Sequence, residues 1–202
     1  TAQGIGAFWA TPGVIKFESF NEFLGLEKGQ RILIYGASGS VGSYAVQLAK
    51  ISGAHVTAVC GTANVKWVKD LGADKVIDYK TEDFTTSGMY YDIVLDAVGK
   101  SSFEQCKGIL TDKGIYLSVD LSGELLCRMI RSSVFGGKKA TTTATGMLSA
   151  KVRLQLLLEI LTHVANGRLK TIIDRTYFLE EIADAHRYVD SGRKKGNVIV
   201  SL

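Results

Sequence analysis

The sequence predicts an α/β domain built on a doubly wound parallel sheet of about six strands, with helices on both faces. Three observations carry that expectation. Short β-branched apolar runs alternate with helical segments along the chain. A glycine-rich turn follows the first run and opens the first helix. The composition, 46% hydrophobic and 22% charged over 202 residues, is that of a globular chain long enough to bury a sizeable core.

The elements follow in order. The run 31–35 (Arg-Ile-Leu-Ile-Tyr) is apolar and ends at glycine, as a buried strand does. Residues 43–51 place Ala45, Val46, Leu48 and Ala49 on one helical face, and Gly53 stops the helix. A second strand is expected at 55–59, a short helix at 65–71 and further strands at 75–78, 91–96 and 114–119, with a helix at 102–110 between the last two. Such alternation implies parallel pairing through right-handed crossovers. Beyond it, residues 121–131 read as helix and the threonine-rich stretch 138–144 as a sixth strand. Residues 149–166 carry Leu154, Leu157, Leu158, Leu161 and Val164 at helical spacing, a stripe read as domain core, with a dimer contact as the alternative. A helix at 179–190 and a closing strand at 197–200 complete the pattern. Three segments result: an atypical lead-in at 1–28 containing the single proline, Pro12; a core of alternating units at 29–145; and C-terminal helices and strand at 146–202.

Composition removes several function classes. A net charge of +4 is too small to argue for nucleic acid but suits an anionic small ligand. No apolar stretch approaches the length of a membrane span, and no secretory leader is visible. Cys60, Cys106 and Cys127 are odd in number and widely spaced, which argues against a disulfide framework or zinc cluster and for a reducing, cytoplasmic setting. His55, His163 and His186 are isolated from one another, so no metal is expected.

The most informative stretch is Tyr35-Gly-Ala-Ser-Gly-Ser-Val-Gly42. Ala37, Gly39 and Gly42 hold the spacing of a dinucleotide fingerprint, between a strand and a helix as that motif requires. Gly39 lets backbone approach a pyrophosphate, and Gly42 lets the helix pack close to the strand. The N–H groups of Ser40 and Val41, next to Ser38, face the phosphates with the helix dipole behind them. No Gly-Lys-Ser/Thr follows, so a Walker loop is excluded.

An NAD site places an acid about 20 residues beyond the glycines, where the second strand ends. The sequence there, from Val59 through Cys60, Thr62 and Asn64 to Lys66, holds no acid. Thr62 and Asn64 can hydrogen-bond a 2′-phosphate and Lys66 can neutralise it, so NADPH is expected over NADH. The missing acid also argues against a methyltransferase, and no tyrosine is followed four residues later by lysine, as a short-chain reductase needs.

Several segments together resemble a known family. They are Glu27–Gly42, Ala45–Lys50, Leu71–Tyr79, Tyr91–Gly99, Ile173–Tyr177 and Ala185–Val200. In order they resemble the medium-chain dehydrogenase/reductase superfamily, in its zinc-free quinone-oxidoreductase branch. The resemblance implies hydride transfer from NADPH or NADH to a small-molecule acceptor, a quinone, enone or enoyl thioester. It implies that Ser38–Val41 hold the pyrophosphate and that Tyr79 lies by the adenosine ribose or its 2′-phosphate. Ala97, Val98 and Gly99 would line the central groove, and the segment at Lys195 and Asn197 would return toward the cofactor. Relatives begin with a GroES-like domain that supplies most of the substrate pocket; here it is largely missing. The chain alone is therefore expected to be a poor enzyme. No general acid or base is assigned, since hydride transfer needs contact rather than an ionisable side chain. A homodimer is compatible with this reading, and nucleic acid or membrane partners are not expected. The competing reading is an NADPH-binding module or redox sensor without turnover, with Cys60 and Cys106 as redox handles.

Overall fold

The computed structural model describes residues 26–120, Leu125, Met129, 137–142 and 150–201. Thirteen elements are referred to below: β1 (Arg31–Tyr35), α1 (Ser40–Ile51), β2 (His55–Cys60), α2 (Val65–Asp70), β3 (Lys75–Asp78), β4 (Tyr91–Asp96), α3 (Phe103–Cys106), β5 (Leu110–Ser118), β6 (Lys139–Thr142), α4 (Ala150–Ala165), β7 (Ile173–Phe178), α5 (Ile182–Asp190) and β8 (Asn197–Ser201).

Six strands form one parallel sheet in the order β3-β2-β1-β4-β5-β6. This is the doubly wound Rossmann arrangement that the alternating pattern predicts. The centre of the sheet is the most apolar part of the chain. Ile32, Leu33 and Ile34 of β1 are each fully buried, because helices cover both faces. Period-2 alternation sends Ile32 and Ile34 to one face, where Ala45, Val46 and Ala49 of α1 pack with Val68 of α2. Leu33 points the other way, into a cluster with Val94, Tyr91, Cys106 and Leu110. Each such buried aliphatic side chain stabilises the fold by roughly 1.5–3 kcal/mol.

The structure moves several boundaries. The expected helix 102–110 is only α3 followed by a 3-10 turn at Lys107–Ile109. Gly108 weakens the helix there, and β5 starts at Leu110 rather than 114, pairing first with Tyr91 and then, after a register shift, through Ile115 with Ile93. The expected helix at 121–131 lies almost wholly outside the described residues.

The closing strand β8 pairs in parallel with β7 to form a separate two-stranded sheet. β7 is invisible to patterning because it reads Ile-Asp-Arg-Thr-Tyr-Phe and leaves Ile173 and Phe178 exposed. One expectation is corrected: the leucine stripe of α4 is not core. Ile160 and Val164 pack on the core, whereas Leu154, Leu157, Leu158 and Leu161 are all exposed. At about 100° per residue the helix is turned so that a neighbouring stripe faces inward. Among the described residues no helix is long and apolar enough to cross a membrane.

Candidate functional site

Strand order reverses between β1 and β4, and the carboxyl ends of the strands at such a reversal are the usual ligand position in these sheets. The loops leaving these strands lie side by side. Tyr35 pairs with Asp96, and the Ala97 N–H donates to the Tyr35 carbonyl at 3.0 Å. A Cβ on Gly36 would fall 2.0 Å from Val98 Cγ2. Gly36, one position before the fingerprint begins, makes the sharp turn with φ +79°. Sequence spacing gave that duty no residue, because Ala37 stands at the motif's first position.

Gly39 and Gly42 serve different purposes. A Cβ on Gly42 would stand 2.2 Å from the Gly36 carbonyl oxygen, so close helix–strand packing requires glycine. A Cβ on Gly39 would meet nothing nearer than that same oxygen at 3.5 Å, and its backbone is extended at φ −83°. The fold itself does not demand glycine at 39. Gly39 also offers α1 no side-chain cap, and the first turn of α1 has no acidic residue. The N–H groups of Ser40 and Val41 therefore stand at a positively polarised helix end that no side chain of Gly39 caps.

The β4 loop is fixed by a buried carboxylate. Asp96 accepts hydrogen bonds from the N–H groups of Val98 (2.9 Å), Gly99 (2.8 Å) and Ser101 (2.7 Å), and from the Ser101 hydroxyl (2.7 Å). The Tyr116 hydroxyl adds a longer contact at 3.3 Å. With its oxygens so satisfied, a fully buried acid can hold Ala97–Gly99 in one conformation. Gly99 takes φ +73° in that loop, close against Asp120.

The C-terminal segment closes over the glycine turn. Gly196 forms a parallel bridge with Gly39, and its N–H donates to the Ser38 carbonyl at 2.9 Å. The Ser40 hydroxyl donates to the Gly196 carbonyl at 2.8 Å. Asn197 is adjacent, but its side-chain amide is spent on the Ile172 carbonyl at 3.1 Å, where it ties β8 to the start of β7. Gly196 itself was not singled out in the sequence, although it lies between Lys195 and Asn197 in the segment expected to return toward the cofactor.

Beyond β2 the predicted residues diverge. Tyr79 stands over Gly61, where an added Cβ would lie 3.3 Å from the tyrosine hydroxyl, and about half its surface is exposed. The Asn64 side chain accepts from the Trp67 indole at 3.0 Å. Lys66 projects into solvent with an i,i+4 pairing to Asp70. One neighbour was missed: Asp78, at the end of β3, lies in register with Cys60. Hydrogen bonds from Thr62 and the Lys80 N–H hold its carboxyl below the ordinary aspartate range. The strand end is therefore free of acid along the sequence but not in space.

The two described cysteines are poor redox handles. Burial pushes the Cys60 thiol up to about 11, with Asp78 adding to the effect, and the Cys106 thiol up to about 12. Even the lower value leaves only about one thiol in ten thousand ionised at pH 7, and the thiolate is the reactive form. Cys127 lies outside the described residues.

Comparison with known proteins agrees with this geometry. A family model described as zinc-binding dehydrogenase matches residues 71–200. A chloroplast envelope quinone oxidoreductase homolog of Arabidopsis thaliana is 33% identical over 180 residues, which cover 87% of this chain and 54% of that protein. A mitochondrial NAD(P)H oxidoreductase of Mus musculus, RTN4IP1, is 34% identical over 192 residues, covering 87% and 48%. The solved structure of the quinone oxidoreductase from Coxiella burnetii superposes with a TM-score of 0.81 at 26% identity, covering 95% of this chain and 58% of that one. The chain belongs to the medium-chain dehydrogenase/reductase superfamily. It spans about half the length of the curated relatives it matches and corresponds to the cofactor-binding half. Dehydrogenases of this superfamily bind nicotinamide cofactors, and the turn at Gly39, where no side chain caps α1, fits the pyrophosphate of such a cofactor. Among the described residues no group of three or more His, Cys, Asp or Glu side chains is placed to hold a metal ion, and Cys60 and Cys106 are buried neutral thiols.

Proposed function

We propose that this chain is the cofactor-binding half of a zinc-independent reductase that passes hydride from NADPH to a quinone, enone or enoyl acceptor. The observation that carries the reading is the convergence of Ser38–Gly42, Ala97–Gly99 and Gly196 at the strand-order reversal. The relatives named as quinone oxidoreductases supply the acceptor class. When bound, the nicotinamide supplies the hydride chemistry. The protein's own work is positional: Ser40 and Val41 hold the pyrophosphate by their N–H groups, and Asp96 fixes the loop that walls the groove. The β2 end, with Cys60, Thr62, Asn64, Lys66 and Tyr79, flanks the adenosine.

The preference for NADPH rests on the acid-free segment after Val59 and on Tyr79 and Lys66 near the adenosine end. Asp78 favours a second reading, because a carboxylate beside Thr62 can accept from a ribose hydroxyl and so admit NADH. Its carboxyl is already engaged by hydrogen bonds from Thr62 and the Lys80 N–H, which is why we retain NADPH. Titration of the chain with both cofactors decides: NADPH is expected to bind at least about tenfold tighter, a difference of about 1.4 kcal/mol. Equal or tighter NADH binding would transfer the adenosine site to Asp78. The neutral buried thiols weigh against a redox sensor. The named relatives belong to a chloroplast and a mitochondrion, so the cysteines support a reducing compartment rather than the cytoplasm in particular.

A further inference from the structure

Lys194 belongs to none of the site residues identified above. It lies in the connection between α5 and β8, just before the glycine that bridges to Gly39. Its side chain turns inward: Nζ lies 2.5 Å from the Ser40 hydroxyl oxygen and 3.0 Å from the Gly196 carbonyl oxygen. The backbone fixes this placement. Gly196 has φ +66° and is so close to Ile172 that an added Cβ would lie 2.5 Å from the Ile172 carbonyl oxygen.

The charge of this ammonium is poorly compensated. Among the described residues no carboxylate lies within ion-pair distance of Nζ. The acid that bears on it, Asp174, is already engaged by the Tyr188 hydroxyl at 2.6 Å and the Lys195 N–H at 2.8 Å. Burial draws the Lys194 ammonium below the usual lysine range, and Asp174 only partly opposes that. The other group nearby is the first turn of α1, itself the positive end of a helix dipole with no acidic side chain. Two positive features facing one another disfavour the arrangement, and an anion between them reverses the sign for both.

We propose that Lys194 is a pyrophosphate-neutralising residue of the dinucleotide site, carried to the glycine turn by the C-terminal segment. The proposal rests on reading that turn as the cofactor site. It assigns Lys194 to the part of the ligand that NADPH and NADH share, whereas Lys66 and Tyr79 belong to the part in which they differ. Removing the charge therefore weakens both cofactors by the same factor and leaves their ratio unchanged.

Calorimetric titration of the full chain with NADPH and with NADH tests this, using Lys194→Met, Lys194→Gln and Lys194→Arg. Gln can still donate to Ser40 and Gly196 and keeps the test open should the methionine variant fold poorly. Lys113→Met, at the opposite end of the strands, serves as the control for net charge. Removing the charge is expected to weaken both cofactors by about tenfold or more, with arginine restoring most of the affinity and Lys113→Met leaving it unchanged. Unchanged affinity in both charge-removing variants overturns the assignment. So does a loss confined to NADPH, which would put Lys194 at the 2′-phosphate. If the parent chain binds neither cofactor, the reading of the glycine turn falls first, an outcome distinct from the other two.

Discussion

Gly39→Val is expected to reduce cofactor affinity by at least about a hundredfold while leaving the unfolding temperature within a few degrees of the parent. A Cβ there is not crowded by the protein, since the nearest atom to it is 3.5 Å away. It does fill the space through which pyrophosphate approaches the N–H groups of Ser40 and Val41. Gly42→Val is expected to behave in the opposite way. A Cβ at 2.2 Å from the Gly36 carbonyl oxygen forces α1 off the sheet, so this variant loses stability first and binding as a consequence. Thermal unfolding of both variants beside calorimetric titration with NADPH separates the two roles. If Gly39→Val binds as tightly as the parent, the turn is not the phosphate site.

The second large effect concerns turnover. Quinone-dependent oxidation of NADPH by this chain is expected to be at least about a hundredfold slower than by the same chain extended with the half that its relatives carry. The β1 and β4 loops shape the cofactor side, but an acceptor also needs a wall opposite the nicotinamide. Positioning two reactants can supply roughly 7–11 kcal/mol toward a barrier. Even losing about 3 kcal/mol of that lowers the rate about a hundredfold. Comparable turnover from the two forms would mean that the pocket is already complete here or is completed by another subunit.

The centre of the main sheet was legible in the sequence because β1, β2 and β4 are largely buried and read as mostly apolar runs. The pairing of β7 with β8 was not, since a half-exposed strand with alternating charge carries no apolar signal. The orientation of α4 was equally hidden: Ile160 and Val164 are as apolar as the leucines beside them, and only the packing distinguishes the two stripes. The same division runs through the site. Ser38 to Gly42 were legible because a glycine-rich strand-to-helix turn is local in sequence. Asp96, Asp78, Gly196 and Lys194 reach the site through strand register or a returning segment. Gly196 and Lys194 meet Ser40 across 156 and 154 residues of chain, farther than spacing alone can connect.

The most direct test of the central claim is to follow backbone amide resonances of the chain as NADPH is added. The account predicts the largest shifts at Ser40 and Val41, with further shifts at Ala97–Gly99 and 194–197 and little change along the exposed leucines of α4. Saturable binding that leaves the amides of Ser40 and Val41 unmoved would contradict it.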